Sequence, residues 1–285
     1  DFTPNVRSAA ELATLVVYDS PVNMISTYPD DMLASPAVEM IKSVPTVWDK
    51  TVVLPESEIG KFTVMAKEKD GVWYIGGING TNASRSNNAE SKTVNIDLAA
   101  LGLANNGAGY KMELWREEVG LRATDVDGFI WPGGYANLKD EKKTLDGTEG
   151  TLSVTMPAEC GFIMRLTPLN FSQYGGEITS APLSIEALDG AVVKYTTDGT
   201  EPSADNGETY TGPIDMEAVG TCRLTAKIVS GPGAGARVSH LFSLLDKYGI
   251  VRTNLKTALN KADAVEDKGD IYTDESFAAL EAAYI

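Results

Sequence analysis

The apolar residues of this chain change period at one joint, Val44-Pro45-Thr46-Val47-Trp48-Asp49-Lys50-Thr51-Val52-Val53-Leu54. Before it the apolar spacing is helical; after it the spacing alternates, as in strands. Pro45 cannot continue a helix, because it lacks the N–H and its ring clashes with the preceding turn. Val47, Trp48 and the run Val52 to Leu54 are β-formers. The joint therefore predicts the end of a helical layer and the start of a β-domain. Trp48 is expected as an anchor buried between the two layers, with a sugar-stacking platform as the sharper alternative.

Upstream of the joint, Ser8-Ala9-Ala10-Glu11 has capping-box spacing, and Leu12, Leu15 and Val16 then fall on one helical face. Pro21 and Pro29 interrupt the pattern. A second short helix is predicted over Pro36 to Ser43, with Ser35 as N-cap and Pro36 at the first helical position. Two such helices bury too little surface to stand alone and read as the tail of a larger helical or α/β layer that precedes them. Without that layer, the faces of Leu12, Leu15, Val16, Val38, Ile41 and Trp48 are expected to be bare and to promote polydisperse association.

Downstream, Lys61 to Lys67 alternates with the strand period, Asp70-Gly71 supplies a turn, and Val72 to Ile78 returns as the partner strand. Further strands are predicted over Ser91 to Leu98, Tyr110 to Arg116, Thr151 to Thr155 and Gly161 to Thr167. Short strands separated by Gly, Asn and Asp turns argue for an antiparallel sandwich. Gly80 to Glu90 and Glu117 to Gly150 read as polar, Gly-rich loops. Trp73, Trp115 and Trp131 are expected to pack; Trp131, beside Pro132-Gly133-Gly134-Tyr135, is also a candidate for stacking on sugar. Gly175-Gly176 opens a new composition, with strands predicted over Val192 to Thr197 and Cys222 to Val229. Asp198, Glu201, Asp205 and Glu208 have no EF-hand spacing and read as a solvated acidic loop. After 245 a helical stripe returns (Leu255, Ala258, Leu259, Ala262, Val265), breaks at Gly269-Asp270, and resumes after a Thr273 cap.

The fold class is thus mainly β: two antiparallel β-sandwich domains in tandem, with short helical segments at both ends. The predicted boundaries are 1–44, 45–168, 169–245 and 246–285, consistent with two or three core-forming domains in 285 residues. The formal net charge of −16, from 24 Lys+Arg against 40 Asp+Glu, argues against nucleic acid and against anionic membrane surfaces. No apolar run approaches the roughly 20 residues that span a bilayer. Cys160 and Cys222 lie far apart and are expected as isolated buried thiols. A single histidine, His240, argues against a His-based catalytic site or zinc cluster. The chain starts at Asp1 and stops inside a helical pattern, so both ends read as cut.

Asp1-Phe2-Thr3-Pro4, Ala13 to Met24 with Tyr18-Asp19-Ser20-Pro21, and Val44-Pro45-Thr46-Val47-Trp48-Asp49-Lys50-Thr51 together resemble the end of the catalytic barrel in glycoside hydrolase family 97. The resemblance continues to about Pro168 through Asp70-Gly71-Val72-Trp73-Tyr74-Ile75-Gly76-Gly77 and Gly161 to Leu166. The family usually has Glu at the place of Asp19, and Asp-Glu-Thr where this chain has Asp49-Lys50-Thr51. The resemblance implies the C-terminal part of a secreted, periplasmic or cell-surface bacterial α-glucosidase or α-galactosidase, acting on an oligosaccharide or polysaccharide, with calcium as the parent's cofactor. Its catalytic and metal-binding carboxylates would lie upstream of Asp1, leaving none in this chain. Asp1 and Thr3 would follow the last barrel strand and sit on the active-site rim. The sandwich after the barrel is regarded in that family as an oligomerisation domain, which implies a homo-oligomer.

Tyr195-Thr196-Thr197-Asp198-Gly199-Thr200-Glu201-Pro202, with Tyr210 to Pro213 and Leu224 to Lys227, is similar to the C-terminal domain of chitobiases, an immunoglobulin-like sandwich without catalysis. Lys268 to Phe277 resembles the start of a FIVAR repeat. The rival reading is a carbohydrate-binding or cell-surface adhesion protein with no catalytic domain; the helices before Pro45 argue against it, because an adhesin needs no barrel end.

Overall fold

Asp70 and Gly71 have φ values of 52° and 80°, the positive pair that a two-residue hairpin turn of matching twist requires. Around this hairpin the computed structural model describes residues 8–25, 29–80, 91–103, 109–117, 123–125, 129–131, 138–158, 160–178 and 182–244. The helices are α1 (Ser8–Val17), α2 (Pro29–Leu33) and α3 (Val38–Ser43). The strands that follow are β1 (Lys50–Val53), β2 (Phe62–Lys69), β3 (Val72–Asn79), β4 (Lys92–Asp97), β5 (Tyr110–Glu117), β6 (Ala123–Asp125), β7 (Phe129–Trp131), β8 (Leu138–Leu145), β9 (Thr151–Met156) and β10 (Gly161–Thr167).

Six of these strands form one antiparallel sheet in the order β1-β2-β3-β10-β5-β8. The β4–β9 ribbon, paired from Lys92↔Met156 to Asp97↔Thr151, covers one face. Val94, Ile96, Val154 and Met156 meet Val64, Ile75, Leu114, Phe162 and Met164 there. The other face carries Tyr74, Trp115 and Ile163, and α1 and α3 cover it with Ala9, Leu12, Val16 and Met40. The chain is mainly β with antiparallel sheets, as the alternation predicts. Trp73 and Trp115 are both buried, one on each face.

The expected bare helical faces are not bare. Leu12 is 4% exposed and Val16 fully buried, because the central strands present apolar side chains on both faces and the helices occupy the second. The contact is close. A Cβ on Gly76 would lie 2.9 Å from the Ala13 carbonyl oxygen, and one on Gly161 would lie 2.7 Å from Ala10 Cα. Both glycines therefore let the helix backbone rest on the strand backbones. The start of α1 is held from the sheet: the Glu117 carboxylate accepts from Ala9 N and Gly161 N, both at 3.1 Å.

Two further expectations are corrected. The helix predicted from Pro36 is α3 and begins at Val38, with Ala37 as N-cap and no side-chain cap, and Pro29, read as an interruption, opens the short α2; Ser35 accepts through Oγ from Ala37 N at 3.3 Å, closing the turn before α3. The stretch Glu117 to Gly150 is not all loop, since it contains β6, β7 and β8. In β8, Lys139 to Thr144 are all exposed, and only its end residues Leu138 and Leu145 are buried. Charged side chains suit an edge strand because they discourage pairing with another sheet, and they erase the apolar alternation that marks strands. Of the other predicted loop, residues 81–90 lie outside the described residues.

The second β unit has its own core, including Leu169, Phe171, Leu224, Ala226, Ile228 and Phe242. Its elements are β11 (Leu169–Phe171), β12 (Gly176–Ile178), β13 (Ile185–Ala187), β14 (Val192–Thr196), β15 (Glu208–Thr209), α4 (Met216–Val219), β16 (Cys222–Ser230) and β17 (Arg237–Leu244). A five-stranded sheet runs β12-β17-β16-β14-β15, with β11 paired to β13 beside it. The three-residue β12 pairs in parallel with β17. Cys160 and Cys222 are free and buried.

A Gly161→Ala variant is expected to lose about 1–3 kcal/mol by overpacking against the helix backbone. Urea unfolding followed by circular dichroism measures this; a loss near zero would mean α1 does not rest on the sheet at this distance.

Candidate functional site

The two β units meet where the β2–β3 turn reaches the start of β17. Arg237 donates its backbone N–H to the Asp70 carbonyl at 3.0 Å, and its guanidinium pairs with Asp70 Oδ2 at 2.9 Å. A Cβ on Gly71 would stand 3.2 Å from Ala236 Cα, so the turn backbone touches the strand. Glu201 bridges Lys227 at 2.6 Å and Arg237 at 2.8 Å. Asp49 accepts from Lys69 Nζ at 2.7 Å and from Asp70 N at 3.2 Å. The Lys227 hydrogen bond holds the Glu201 carboxyl below its usual range, and the Lys69 hydrogen bond does the same for Asp49.

Behind this rim lies a buried polar chain. Arg165, in β10, is 2% exposed and pairs with Glu113 of β5. Glu113 also accepts from Trp115 Nε1 at 2.9 Å. Arg165 donates to Asn170 Oδ1 at 3.0 Å, and its guanidinium stands 4.5 Å from the centroid of the Tyr174 ring, a cation–π distance. The Tyr174 hydroxyl donates to Asn170, its backbone N–H donates to Glu39 Oε2 of α3, and burial pushes the phenol above its usual range. Tyr74 donates to the Ser43 carbonyl at 2.7 Å. His240 meets the Tyr174 ring edge-on, with centroids 5.1 Å apart. Burial, then the cations Arg165, Arg223 and Lys42, depress the His240 pKa to about 4.

These groups enclose a cleft of about 350 Å³. Asp70 and Tyr74 line it from the first unit, and Tyr174, Arg223 and His240 from the second. A neutral imidazole, an exposed guanidinium and phenol edges can bind a small polar ligand; they hold no nucleophile–base pair.

Of the residues singled out by sequence, Asp1, Thr3 and the Trp131 side chain lie outside the described residues. Trp48 is half-buried, edge-on to Tyr74 with centroids 5.5 Å apart. Lys67 Nζ stands 5.5 Å from the Trp48 ring centroid; this fully buried lysine donates to Tyr18 O at 3.1 Å and Asp19 Oδ1 at 3.3 Å. In the acidic loop, Asp198 accepts from Thr200 and Glu208 accepts from Tyr195. Among the described residues, no three His, Cys, Asp or Glu side chains converge as metal ligands. Arg165, Tyr174 and Arg223 escaped sequence reasoning. The signal for Arg165 was a lone cation inside the apolar run Phe162 to Leu166.

Comparison with known proteins agrees with this two-part build. Residues 47–167 match the family model "Glycosyl-hydrolase 97 C-terminal, oligomerisation", and residues 173–238 match the chitobiase/beta-hexosaminidase C-terminal domain. A retaining alpha-galactosidase of Bacteroides thetaiotaomicron is 34% identical over 93 residues, which is 32% of this chain and 13% of that protein. The chain thus spans a small fraction of that relative's length. A crystal structure of a beta-arabinopyranosidase aligns over 55% of this chain and 21% of its own, at 20% identity and a TM-score of 0.37.

Two outcomes are expected. Glu113→Gln strands the buried Arg165 charge and should cost about 3–5 kcal/mol in urea unfolding. The second concerns pH. His240 titrates near 4 when folded, against a usual 6.5, so between those values the unfolded chain binds more protons and stability rises with pH. Its contribution is complete above about pH 6.5 and is lost as pH falls towards 4. Thermal unfolding across that window should show the slope, and His240→Gln should flatten it.

Proposed function

We propose that this chain is the C-terminal, non-catalytic part of a secreted bacterial α-glycoside hydrolase of α-galactosidase or α-glucosidase type, its catalytic barrel preceding Asp1. The match of residues 47–167 to the family model carries this reading, and the similarity to a retaining alpha-galactosidase supports the substrate class. In this reading residues 1–44 are the barrel's end, 45–168 the sandwich that follows it, 169–245 an immunoglobulin-like accessory domain and 246–285 the start of a FIVAR-like module. The close packing of α1 and α3 on the sheet then fixes the barrel to the sandwich. Self-association through the sandwich would make the enzyme a homo-oligomer.

Glycoside hydrolysis needs two carboxyls flanking the scissile bond. The buried carboxylates among the described residues are already engaged: Glu113 with Arg165, Glu117 with two backbone amides, and Glu68 with Gly71 N and Lys50. This supports a non-catalytic role. The calcium implied by the family resemblance would be held by residues of the barrel upstream.

The test uses nitrophenyl α-galactoside and α-glucoside. The purified 285-residue chain is expected to release no nitrophenol above buffer, and the polypeptide extended by the upstream reading frame is expected to hydrolyse one of them. Turnover by the shorter chain would overturn the non-catalytic assignment; an upstream frame without barrel strands would overturn the hydrolase.

A further inference from the structure

Five cations stand at or behind the cleft between the β units: Lys42, Lys69, Arg165, Arg223 and Arg237. Four have carboxylate partners, namely Glu39, Asp49, Glu113, and Asp70 with Glu201. Arg223 makes no ion pair among the described residues. Its stem packs on the turn at Gly199, where a Cβ would lie 3.0 Å from Arg223 Cδ, and the neighbouring Asp198 gives its carboxylate to Thr200. A chain of net charge −16 thus leaves one guanidinium uncompensated on the wall of its cleft.

The rest of the lining is amphipathic. Val44, Pro45 and Val72 give an apolar patch, while Ser239 and His240 give polar groups beside Arg223. The groups that act on His240 are Arg165 from β10, Arg223 from β16, Lys42 from α3 and the Tyr174 ring; Glu39 and Glu113 are bound to Lys42 and Arg165, and the carboxylate that lines the cleft, Asp70, is bound to Arg237. The imidazole is therefore neutral at physiological pH and can donate one hydrogen bond and accept another. The volume of about 350 Å³ is at the small end of ligand sites, about 300–1,000 Å³, and suits one sugar ring rather than an oligosaccharide.

We propose that this cleft binds a single acidic sugar: its carboxylate on Arg223, its hydroxyls on His240 and Ser239, and its C–H face on Val44, Pro45 and Val72. The anionic part rests on the charge arrangement alone; the sugar part also rests on the glycoside hydrolase reading. An arginine matches a carboxylate's two oxygens with parallel N–H donors, and the apolar patch suits the ring's C–H face.

The experiment uses the whole chain and its single histidine. His240 ring-proton resonances are unambiguous in a proton NMR spectrum, and they are followed while galacturonate, galactose, acetate or inorganic phosphate is titrated in. Galacturonate is expected to bind saturably, to shift those resonances and to raise the His240 pKa, since a nearby anion favours imidazolium. Galactose and acetate should each bind about tenfold more weakly or worse. Arg223→Gln, at an exposed position, should keep the fold and weaken galacturonate by about tenfold or more. In the free variant the His240 pKa should also rise, because a cation has been removed. Absence of a saturable shift, or galacturonate binding unchanged in Arg223→Gln, would overturn the site. Phosphate or acetate binding as tightly as galacturonate would overturn the sugar-acid assignment. None of these readouts depends on hydrolysis, so failure here and failure of the hydrolase reading are distinguishable.

Discussion

Backbone-to-backbone contact between helix α1 and the central sheet is the constraint on which the rest of the first β unit depends. Side chains normally stand between a helix and the sheet it packs on. Here two neighbouring strands, β3 and β10, each give up a side chain, at Gly76 and Gly161, and the helix settles into the gap. Once it is there, Leu12 and Val16 reach Tyr74, Trp115 and Ile163, and Glu117 can reach the helix start from β5. The helical layer and the sheet are therefore one packed body. Their shared boundary is the Val44-Pro45 joint, where the chain turns from the helices into β1.

A second constraint is electrostatic. Arg165 occupies the central strand on the helix-facing side, where a charge is costly unless it is paired. Glu113 supplies the countercharge from the next strand. Asn170 and Tyr174, just beyond the end of the sheet, complete its surroundings. The same arginine thus organises the segment that leads into the second β unit, and Tyr174 carries the contact on to α3 and His240. The outer rim repeats the logic with exposed and half-buried groups, through Asp49, Lys69, Asp70, Arg237 and Glu201. Those pairs are solvent-screened and individually weak. Their value is geometric, since they fix the turn at Asp70-Gly71 against β17.

Much of this architecture was legible in the sequence, for identifiable reasons. Strands with one buried face, such as β4 and β9, announce themselves by alternation, and Asp70-Gly71 is a strong turn signal. The helix faces of Leu12 and Val16 were legible as apolar, but what covers them was not. The continuous run Val72-Trp73-Tyr74-Ile75 held the clue, since a strand apolar at every position is buried on both sides. Strand β8 was invisible because its exposed charges follow no period. The cleft was hidden for another reason. Its residues are spread from Ser43 to His240, and only the docking of two separately folded units brings them together. Nothing local marks Arg223 or Tyr174.

The strand order has a consequence for how the chain is made. Strand β10 sits at the middle of the six-stranded sheet, between β3 and β5, yet it is the last of the six in sequence. Until Gly161 to Thr167 has left the ribosome, the sheet exists only as two halves, β1-β2-β3 and β5-β8, with no strand to join them. The platform for α1 is likewise incomplete, since half of it is Gly161. Helix α1 must therefore wait for some 150 residues before its apolar face can be buried, and such long-range pairing is intrinsically slow. A chain that ends between Leu145 and Gly161 leaves the inner edges of both β3 and β5 unpaired, a state prone to association.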